Sequence, residues 1–365
     1  RAVHAARRVA GKTADLRWSS LTQPMDLRFL VQLGIIGLTF FMLINASASL
    51  VYAERKGMGF MQQRYGPYLV GPHGLLQPLA DILKLLMKEE LRPKGADRWL
   101  FTLAPILSVT AAFAAFSTVP WGAETTLFGL LDEPVKLGAA DVNVGVLVVF
   151  AITSMGVYGI VLAGSSSNSK YSLLGGLRSA AQMISYELSY ATAIAAVILL
   201  AGSMSIREIV DGQAGSWFSI VPRWYVFLQP LGFIIYMIAG VAETNRAPFD
   251  FPEAEQELVA GYNTEYSSVR FALFPQAEYI NMTTMAAVAT GLYLGGWHGP
   301  FLPVEYGWIW FLVKVGAILF LYIWVRWTVP RYRYDQLMQF GWKWLFPAAV
   351  VNLILTAAAV LYFNV

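Results

Sequence analysis

Eight long apolar stretches constrain the fold of this chain more than any other feature. Each is about 20 residues long, the length that a helix needs to cross the hydrocarbon core of a bilayer. Hydrophobic residues make up 57% of the chain and charged residues only 13%, a composition typical of integral membrane proteins. The stretches cover about 29–53, 99–121, 142–163, 180–201, 224–242, 271–296, 308–325 and 344–363.

Helices are the elements predicted for all of these stretches. A strand edge leaves backbone groups unsatisfied in hydrocarbon, and the chain lacks the two-residue alternation of a membrane barrel. We therefore predict an all-α integral membrane protein with eight transmembrane helices, which form a single membrane domain over residues 29–363.

The basic residues of the loops predict the orientation. The loops after the first, third, fifth and seventh stretches carry 16 Lys and Arg residues, whereas the opposite loops carry three. The richer side is expected to face the cytoplasm. Residues 1–28 form a basic N-terminal extension that adds six such residues to the other side, so the balance becomes 16 to 9. We expect this extension to lie on the membrane or on a partner protein.

A second kind of helix is predicted at about 74–90, in the first loop. Its apolar residues recur at helical spacing, while Gln77, Asp81 and Lys84 fall on other faces. That pattern is typical of an amphipathic helix lying in the membrane interface. The alternative is an ordinary basic anchor for anionic lipid. Two Gly-Pro pairs in the preceding segment predict tight turns and a compact loop.

Acidic residues are concentrated where the chain is otherwise apolar. The segment 243–266, within an acidic cytoplasmic loop at about 243–270, holds six carboxylates and one arginine. Glu187 and Glu278 lie inside the apolar stretches themselves. An ionised group at the centre of a membrane helix costs about 2.5 to 3.5 kcal/mol on insertion scales, so such residues are candidates for function.

Proton transfer is the chemistry that these acids suggest. A carboxyl group held away from water can exchange its proton near neutral pH. We predict a proton relay made of Glu187, Glu243 and Glu278, with hydroxyls of the segment ISYELSY, at Ser185, Tyr186, Ser189 and Tyr190, available to hydrogen-bond Glu187. An interhelical hydrogen bond remains the structural alternative for Glu187, and a solvated surface run for the loop acids.

The residue inventory excludes several kinds of cofactor. The chain has no cysteine and only three histidines, so it offers no ligands for an iron–sulfur cluster, a zinc ion or a haem. No metal site is predicted, and any redox centre has to belong to a partner. Glycine-rich segments near Gly176 and Gly296 are interpreted as ends of spans. Lys314, inside the seventh stretch, is equally compatible with snorkelling, ion pairing or a proton path.

Three segments together resemble one known family. They are ERKGMGFMQQRYGPYLVGPHGLLQPLADILKLLMKEE, ISYEL, and AETNRAPFDFPEAEQELVAGYNTEYSSVRFALFPQAEY. They are similar to the quinone-site membrane subunit of respiratory complex I, NADH:quinone oxidoreductase, which is called the H subunit in bacteria and NADH dehydrogenase subunit 1 in mitochondria. The resemblance covers residues 29–363. The chain departs from the usual family pattern at Tyr68 and Leu69, which suggests a different shape where quinone would enter.

The resemblance implies a role in quinone chemistry and proton pumping. Glu187, Glu243 and Glu278 would form an acidic funnel that leads from the quinone to the centre of the membrane. The residues that would line or face the quinone chamber are Arg55, Arg64, Asp81, Arg246, Asp250, Glu253, Glu255 and Glu257.

The resemblance also implies cofactors, partners and a location. The substrate would be ubiquinone or menaquinone, while FMN, NADH and iron–sulfur clusters would be bound only by other subunits of the complex. Peripheral-arm and antiporter-like subunits would surround the chain in a bacterial cytoplasmic membrane rather than a mitochondrial one. Two alternatives remain: the related subunit of a ferredoxin- or hydrogen-linked complex, and a stand-alone proton-coupled transporter.

Overall fold

The protein is mostly helical in the computed structural model, which describes residues 27–126, 134–217, 221–252, 259–300 and 302–363. Helices α1 to α6 are Leu27–Met61, Gln77–Met87, Arg98–Ser117, Gly145–Ser166, Lys170–Ala201 and Ile206–Gly212. Helices α7 to α12 are Tyr225–Leu228, Pro230–Glu243, Ser268–Tyr293, Gly307–Thr328, Tyr334–Phe340 and Phe346–Phe363.

Short elements connect these helices. A π-helical turn, Gly341–Leu345, joins α11 to α12, and single 3₁₀ turns lie at Pro72–Gly74, Gly261–Asn263 and Val304–Tyr306. Strands β1 (Glu124–Thr125) and β2 (Val135–Lys136) pair in antiparallel fashion, as do β3 (Ser216–Trp217) and β4 (Val221–Pro222). The sequence analysis did not predict these two hairpins or α6.

Six helical segments of the described residues are long and apolar enough to cross a membrane. They are Phe29–Met61, Arg98–Ser117, Gly145–Ser166, Lys170–Ala201, Val304–Thr328 and Tyr334–Tyr362. Helix α8 has only 14 residues. Helix α9 has 26 residues but includes Arg270, Glu278 and several threonines. The protein is thus a helical membrane protein, and the predicted count of eight spans exceeds what length and composition alone select.

Most ends of the predicted spans lie within a few residues of a helix end, but two helices are longer than the spans predicted for them. Helix α1 continues to Met61 rather than ending near 53, and α5 begins at Lys170 rather than 180. The interpretation of Gly176 as part of a span end is therefore wrong, because this glycine lies inside α5. A Cβ atom there would lie 3.4 Å from the Cα of Gly164 on α4. The small residues let α4 and α5 approach closely.

Helix α9 is the centre of the bundle. Every residue from Met282 to Tyr293 is buried, and α9 packs against α1, α3, α6, α8 and α10 among others. Three threonines of α9 donate hydrogen bonds to carbonyls one turn earlier, which satisfies their hydroxyls without water. Polar residues are tolerated in this helix because it faces protein rather than lipid.

Gln213 closes the C-terminal end of α9. Its Nε2 donates to the carbonyls of Gly291 at 2.9 Å and Leu292 at 3.3 Å. Its Oε1 accepts from the backbone N–H groups of Tyr225 at 3.1 Å and Gly295 at 3.0 Å. The last carbonyls of a helix have no partner within the helix itself, so this buried amide replaces the missing bonds.

Lys314 completes the same cap from α10. Its Nζ donates to the carbonyls of Leu294 at 2.6 Å, Gly296 at 2.9 Å and His298 at 2.5 Å. The ammonium also lies 4.4 Å from the centre of the Trp224 ring. An ammonium group has three hydrogens, and all three are used here. The structure therefore favours a structural cap for Lys314 over snorkelling to the interface.

We expect Lys314→Met to destabilise the protein, because three buried or partly buried carbonyls lose their donor. A buried polar group left without a partner costs about 1 to 3 kcal/mol. The thermal denaturation midpoint of the detergent-solubilised protein should fall. Lys343→Met, at an exposed position, is the matched control and should leave the midpoint unchanged. Equal midpoints for the two variants would show that the cap is dispensable.

Candidate functional site

A chamber of about 450 Å³ opens between α1, α2 and α9. Its wall combines apolar side chains with six charged ones, three of each sign. The charged residues are Glu54, Arg55, Asp81, Arg246, Glu278 and Arg326, and apolar ones include Met58, Ile82, Leu85, Phe271 and Pro275. A mostly apolar cavity with a few convergent polar groups is the usual form of a small-molecule site.

Arg55 and Asp81 form an ion pair across the mouth of the chamber. Arg55 comes from α1 and Asp81 from α2, so the pair fastens the short amphipathic helix to the long one. Gln77, one turn earlier on α2, donates to the other carboxylate oxygen of Asp81 at 3.1 Å. Both ionic side chains are partly exposed, so the pair mainly sets the position of α2 and contributes little stability.

Glu54 is the most connected acid of the chamber, and the sequence analysis missed it. Its carboxylate forms an ion pair with Arg326 of α10, lies 3.7 Å from Arg246 and accepts a 2.9 Å hydrogen bond from the Tyr279 hydroxyl. The side chain is 8% exposed. Its position near the end of a long apolar stretch was the available signal, the same one that identified Glu187.

Arg246 joins the two buried carboxylates of the chamber. It lies in the turn after α8, with one terminal nitrogen 3.7 Å from Glu54 and the other 3.6 Å from Glu278. Its guanidinium carbon lies 4.0 Å from the centre of the Tyr279 ring, within the range of a cation–π interaction. Planar guanidinium groups suit such shared, partly buried contacts better than ammonium groups do.

Glu278 connects the chamber to a second, much smaller cavity. Besides Arg246, its carboxylate accepts a 3.1 Å hydrogen bond from the Tyr262 hydroxyl. The second cavity is about 20 Å³ and is lined by Glu278, Glu243, Asn245 and Asn281 among others. One water molecule needs about 10 to 15 Å³. The cavity that Glu278 and Glu243 both line is therefore large enough for a water molecule.

Glu243 and Glu187 continue this line of acids. Glu243 ends α8 and is 6% exposed, and its buried Oε2 atom has no hydrogen-bond partner among the residues that the structure describes. Glu187 on α5 accepts a hydrogen bond from Ser154 of α4. Of the three acids predicted as a relay, Glu243 and Glu278 thus line one cavity, whereas Glu187 lies on the neighbouring helix α5.

The predicted hydroxyl partners of Glu187 are wrong, because none of the four hydroxyls hydrogen-bonds its carboxyl group among the described residues. Ser189 has no partner there, and the Tyr190 hydroxyl contacts Tyr236 and Met285. Ser185 donates to the Ala181 carbonyl at 2.6 Å, and the Tyr186 hydroxyl donates to the Leu337 carbonyl at 3.0 Å. The observed partner, Ser154, comes from the neighbouring helix. Local sequence could not identify it, because residues three or four apart on one helix share a face but the contact here crosses between helices.

A buried glutamine holds the turn that carries Arg246. The Nε2 atom of Gln182, on α5, donates to the carbonyls of Ala242 and Phe249, both at 2.8 Å. These two hydrogen bonds fix the chain on either side of Arg246. A fixed turn is needed here, because a small shift of the guanidinium would break its contacts with both carboxylates.

Two further predicted site residues, Arg64 and Asp250, are absent from the described wall of the chamber. Arg64 is exposed and donates to Gln62 at 2.6 Å. Asp250 lies in the turn after α8, where its backbone carbonyl accepts from Arg331 at 2.5 Å. Glu253, Glu255 and Glu257 lie outside the described residues. The two departures from the family pattern, Tyr68 and Leu69, are 56% and 93% exposed and are absent from the chamber wall.

The fold and the chamber define a multi-helix membrane protein with a charged, partly buried small-molecule cavity. The family model described as NADH dehydrogenase matches residues 33–357. The chain belongs to this family, and the resemblance predicted from the sequence is confirmed.

Several curated relatives cover nearly the whole chain, and each is named as an H subunit of NADH-quinone oxidoreductase. One from Geobacter metallireducens is 50% identical and covers 91% of this chain and 97% of its own length. One from Geobacter sulfurreducens is 52% identical, covering 88% and 92%. The relative from Paramagnetospirillum magneticum is 49% identical, covering 95% and 97%.

We expect Glu54→Gln to be strongly destabilising, because two guanidinium groups lose the carboxylate that they share. Removing one partner of a buried ion pair costs about 3 to 5 kcal/mol. The amount of protein in the membrane fraction and its thermal denaturation midpoint should both fall. Glu305→Gln, at an exposed loop position, is the control. If the two variants behaved alike, the shared ion pair would not stabilise the site.

Proposed function

We propose that this chain is the membrane subunit of a proton-pumping NADH:quinone oxidoreductase, in which it forms much of the quinone chamber and the acidic funnel. The single observation that supports this most strongly is the meeting of Arg55, Asp81, Arg246 and Glu278 at one chamber. The family resemblance assigns Arg55, Asp81 and Arg246 to the quinone chamber, and Glu278 is the acid expected at the start of the funnel. The names of the relatives give NADH as the electron donor and quinone as the acceptor.

The full architecture that we propose has eight spans. Helices α7 and α8 together, and α9, supply the two spans that simple apolarity does not select. Helix α2 lies in the membrane interface, since its apolar side chains stay exposed in the isolated chain; they include Leu79, Ile82, Leu83, Leu86 and Met87. Residues 1–28 form a separate basic extension, and the loops richest in Lys and Arg face the cytoplasm of a bacterial cell.

The substrate that we propose for the chamber is a quinone, ubiquinone or menaquinone. Its isoprenoid tail would lie along the apolar wall of α1, α2 and α9, with the head group near the Arg246 ion pairs. Reduction to quinol requires two electrons and two protons. The electrons come from NADH through FMN and iron–sulfur clusters. Partner subunits hold these clusters, because this chain has no cysteine to bind one. The antiporter-like partner subunits receive the resulting protonation signal.

The chamber charges link quinone chemistry to proton movement. Two unit charges about 4 Å apart interact by roughly 4 kcal/mol at an effective dielectric of 20, which changes a protonation equilibrium about a thousandfold. A change of charge on the quinone would therefore alter the pairing of Arg246 with Glu54 and Glu278. Glu278, Glu243 and Glu187 then pass the proton change along the funnel.

Copurification tests the proposed assembly. The tagged chain, purified in mild detergent from its native membrane, should bring down partner subunits that hold FMN and iron–sulfur clusters, together with a bound quinone. Absorbance spectra and mass spectrometry identify these components. A chain that purifies alone, or with a hydrogenase-type partner, would exclude the proposed function.

The funnel is tested by Glu187→Gln and Glu243→Gln, which keep the size of each side chain but remove its exchangeable proton. We expect each to lower quinone-dependent proton translocation by about a hundredfold, the lower end for a lost general acid–base group. Acidification of sealed membrane vesicles, energised with NADH, measures the effect. Glu305→Gln is again the control, and undiminished pumping in either test variant would disprove the relay.

A further inference from the structure

Glu278 lies at the wall between the chamber and the smaller cavity, because it lines both. Each oxygen of its carboxyl group faces a different donor. Oε1 accepts a 3.1 Å hydrogen bond from the Tyr262 hydroxyl, and Oε2 lies 3.6 Å from a terminal nitrogen of Arg246. Arg246 lines the chamber, whereas Tyr262 lines the smaller cavity. The carboxyl group is therefore held by one contact from each side of the wall.

The position of Tyr262 is fixed by its surroundings. It belongs to the 3₁₀ turn Gly261–Asn263 and is 1% exposed. Its ring packs edge-on against Phe274, with 5.1 Å between the ring centres. Phe274 lies four residues before Glu278 on α9, so the two share one face of the helix. Gly175 of α5 lets the turn approach, because a Cβ atom there would lie 2.8 Å from the backbone nitrogen of Tyr262.

The two contacts respond differently when Glu278 takes up a proton. At 3.6 Å, the contact with Arg246 is longer than a hydrogen bond from an N–H donor, which spans about 2.7 to 3.2 Å, so it depends mainly on attraction between opposite charges. A neutral carboxyl group loses that attraction. It still has a carbonyl oxygen that accepts a hydrogen bond from a hydroxyl. The bond from Tyr262 therefore persists in both protonation states, whereas the ion pair does not.

The chamber is the space into which this carboxyl group would turn without the hydroxyl. It holds about 450 Å³, against about 20 Å³ for the smaller cavity. It also offers Arg55 and Arg326 as charged neighbours. A carboxyl group turned into the chamber would no longer face the cavity that Glu278 shares with Glu243.

We propose that Tyr262 is a positioning residue of the relay, whose hydroxyl keeps the carboxyl group of Glu278 at the wall between the two cavities in both of its protonation states. This inference rests on the proposed function, in which Glu278 passes a proton change on to Glu243. Tyr262 itself gives up no proton. Its role is to keep Glu278 facing the water-sized space that Glu243 also lines.

Tyr266 provides a matched control in the same segment. It is 6% exposed, and its ring packs edge-on against the same Phe274, at 5.0 Å. Its hydroxyl, however, donates to the backbone carbonyl of Phe101 at 3.2 Å. Pro105, four residues later on α3, has no N–H to bind that carbonyl. The Tyr266 hydroxyl therefore replaces a missing bond of the helix, which is a structural role.

The test compares Tyr262→Phe with Tyr266→Phe in the assembled complex, within sealed membrane vesicles. Each change removes one buried hydroxyl and keeps the ring. We expect Tyr262→Phe to lower NADH-driven proton translocation, measured per bound FMN, about fivefold, the change that one hydrogen bond of ordinary net strength makes to an equilibrium. The solvent deuterium isotope effect should rise, because proton transfer becomes limiting. The KM for quinone should stay the same, because Tyr262 is outside the described wall of the chamber.

Tyr266→Phe should lower the thermal denaturation midpoint and change none of these three quantities. A purely structural role for Tyr262 would lower the amount of assembled complex, and would leave translocation per FMN and the isotope effect as they are. That outcome would overturn the inference, as would a changed KM for quinone.

Glu278→Gln, in the same vesicles, separates this inference from the proposed function. If it lowers translocation, Tyr262→Phe added to it should cause little further loss, because both changes act at one carboxyl group. Losses that multiply in the double variant would overturn the inference and leave the funnel intact. Undiminished translocation by Glu278→Gln would instead disprove the proposed relay role of Glu278.

Discussion

The sharing of the Glu54 carboxylate between Arg326 and Arg246 is the interaction on which the site depends. Charge held away from water is tolerable only when it is balanced and hydrogen-bonded. Glu54 comes from α1, Arg326 from α10 and Arg246 from the turn after α8, while Tyr279 of α9 completes the set. Four separate parts of the bundle therefore have to pack together before the burial of any one of these charges is balanced by its partners.

This requirement explains why α9 is polar and central at once. A helix with Arg270, Glu278 and three hydrogen-bonded threonines would be energetically costly to expose to lipid. Surrounded by other helices, it presents Tyr279 and Glu278 to the charged chamber and its remaining faces to the core. Gln213 satisfies its last carbonyls at the far end, and Lys314 those of the loop that follows. The bundle is built around its least apolar helix.

Sequence patterns predicted the helices better than the contacts between them. Each of the eight apolar stretches overlaps helical structure, and most predicted ends lie within a few residues of a helix end, because the bilayer imposes one dominant constraint. The early start of α5 was missed, since the glycines that let it approach α4 resemble those that end a helix. Glu54 was not predicted, because its role comes from an ion pair with Arg326, which lies 272 residues later in the sequence. Likewise, the bond from Ser154 to Glu187 depends on how two helices face each other, which local spacing does not encode.

The two cavities differ greatly in size, and this difference has a consequence for what moves through the protein. The chamber of about 450 Å³ accepts a ring-sized organic molecule, whereas the adjoining space of about 20 Å³ admits only something as small as water. Glu278 stands at the wall between them. In the proposed function, this wall keeps a ring-sized reactant out of the smaller cavity, so that the acids beyond Glu278 exchange protons with the chamber without touching the quinone.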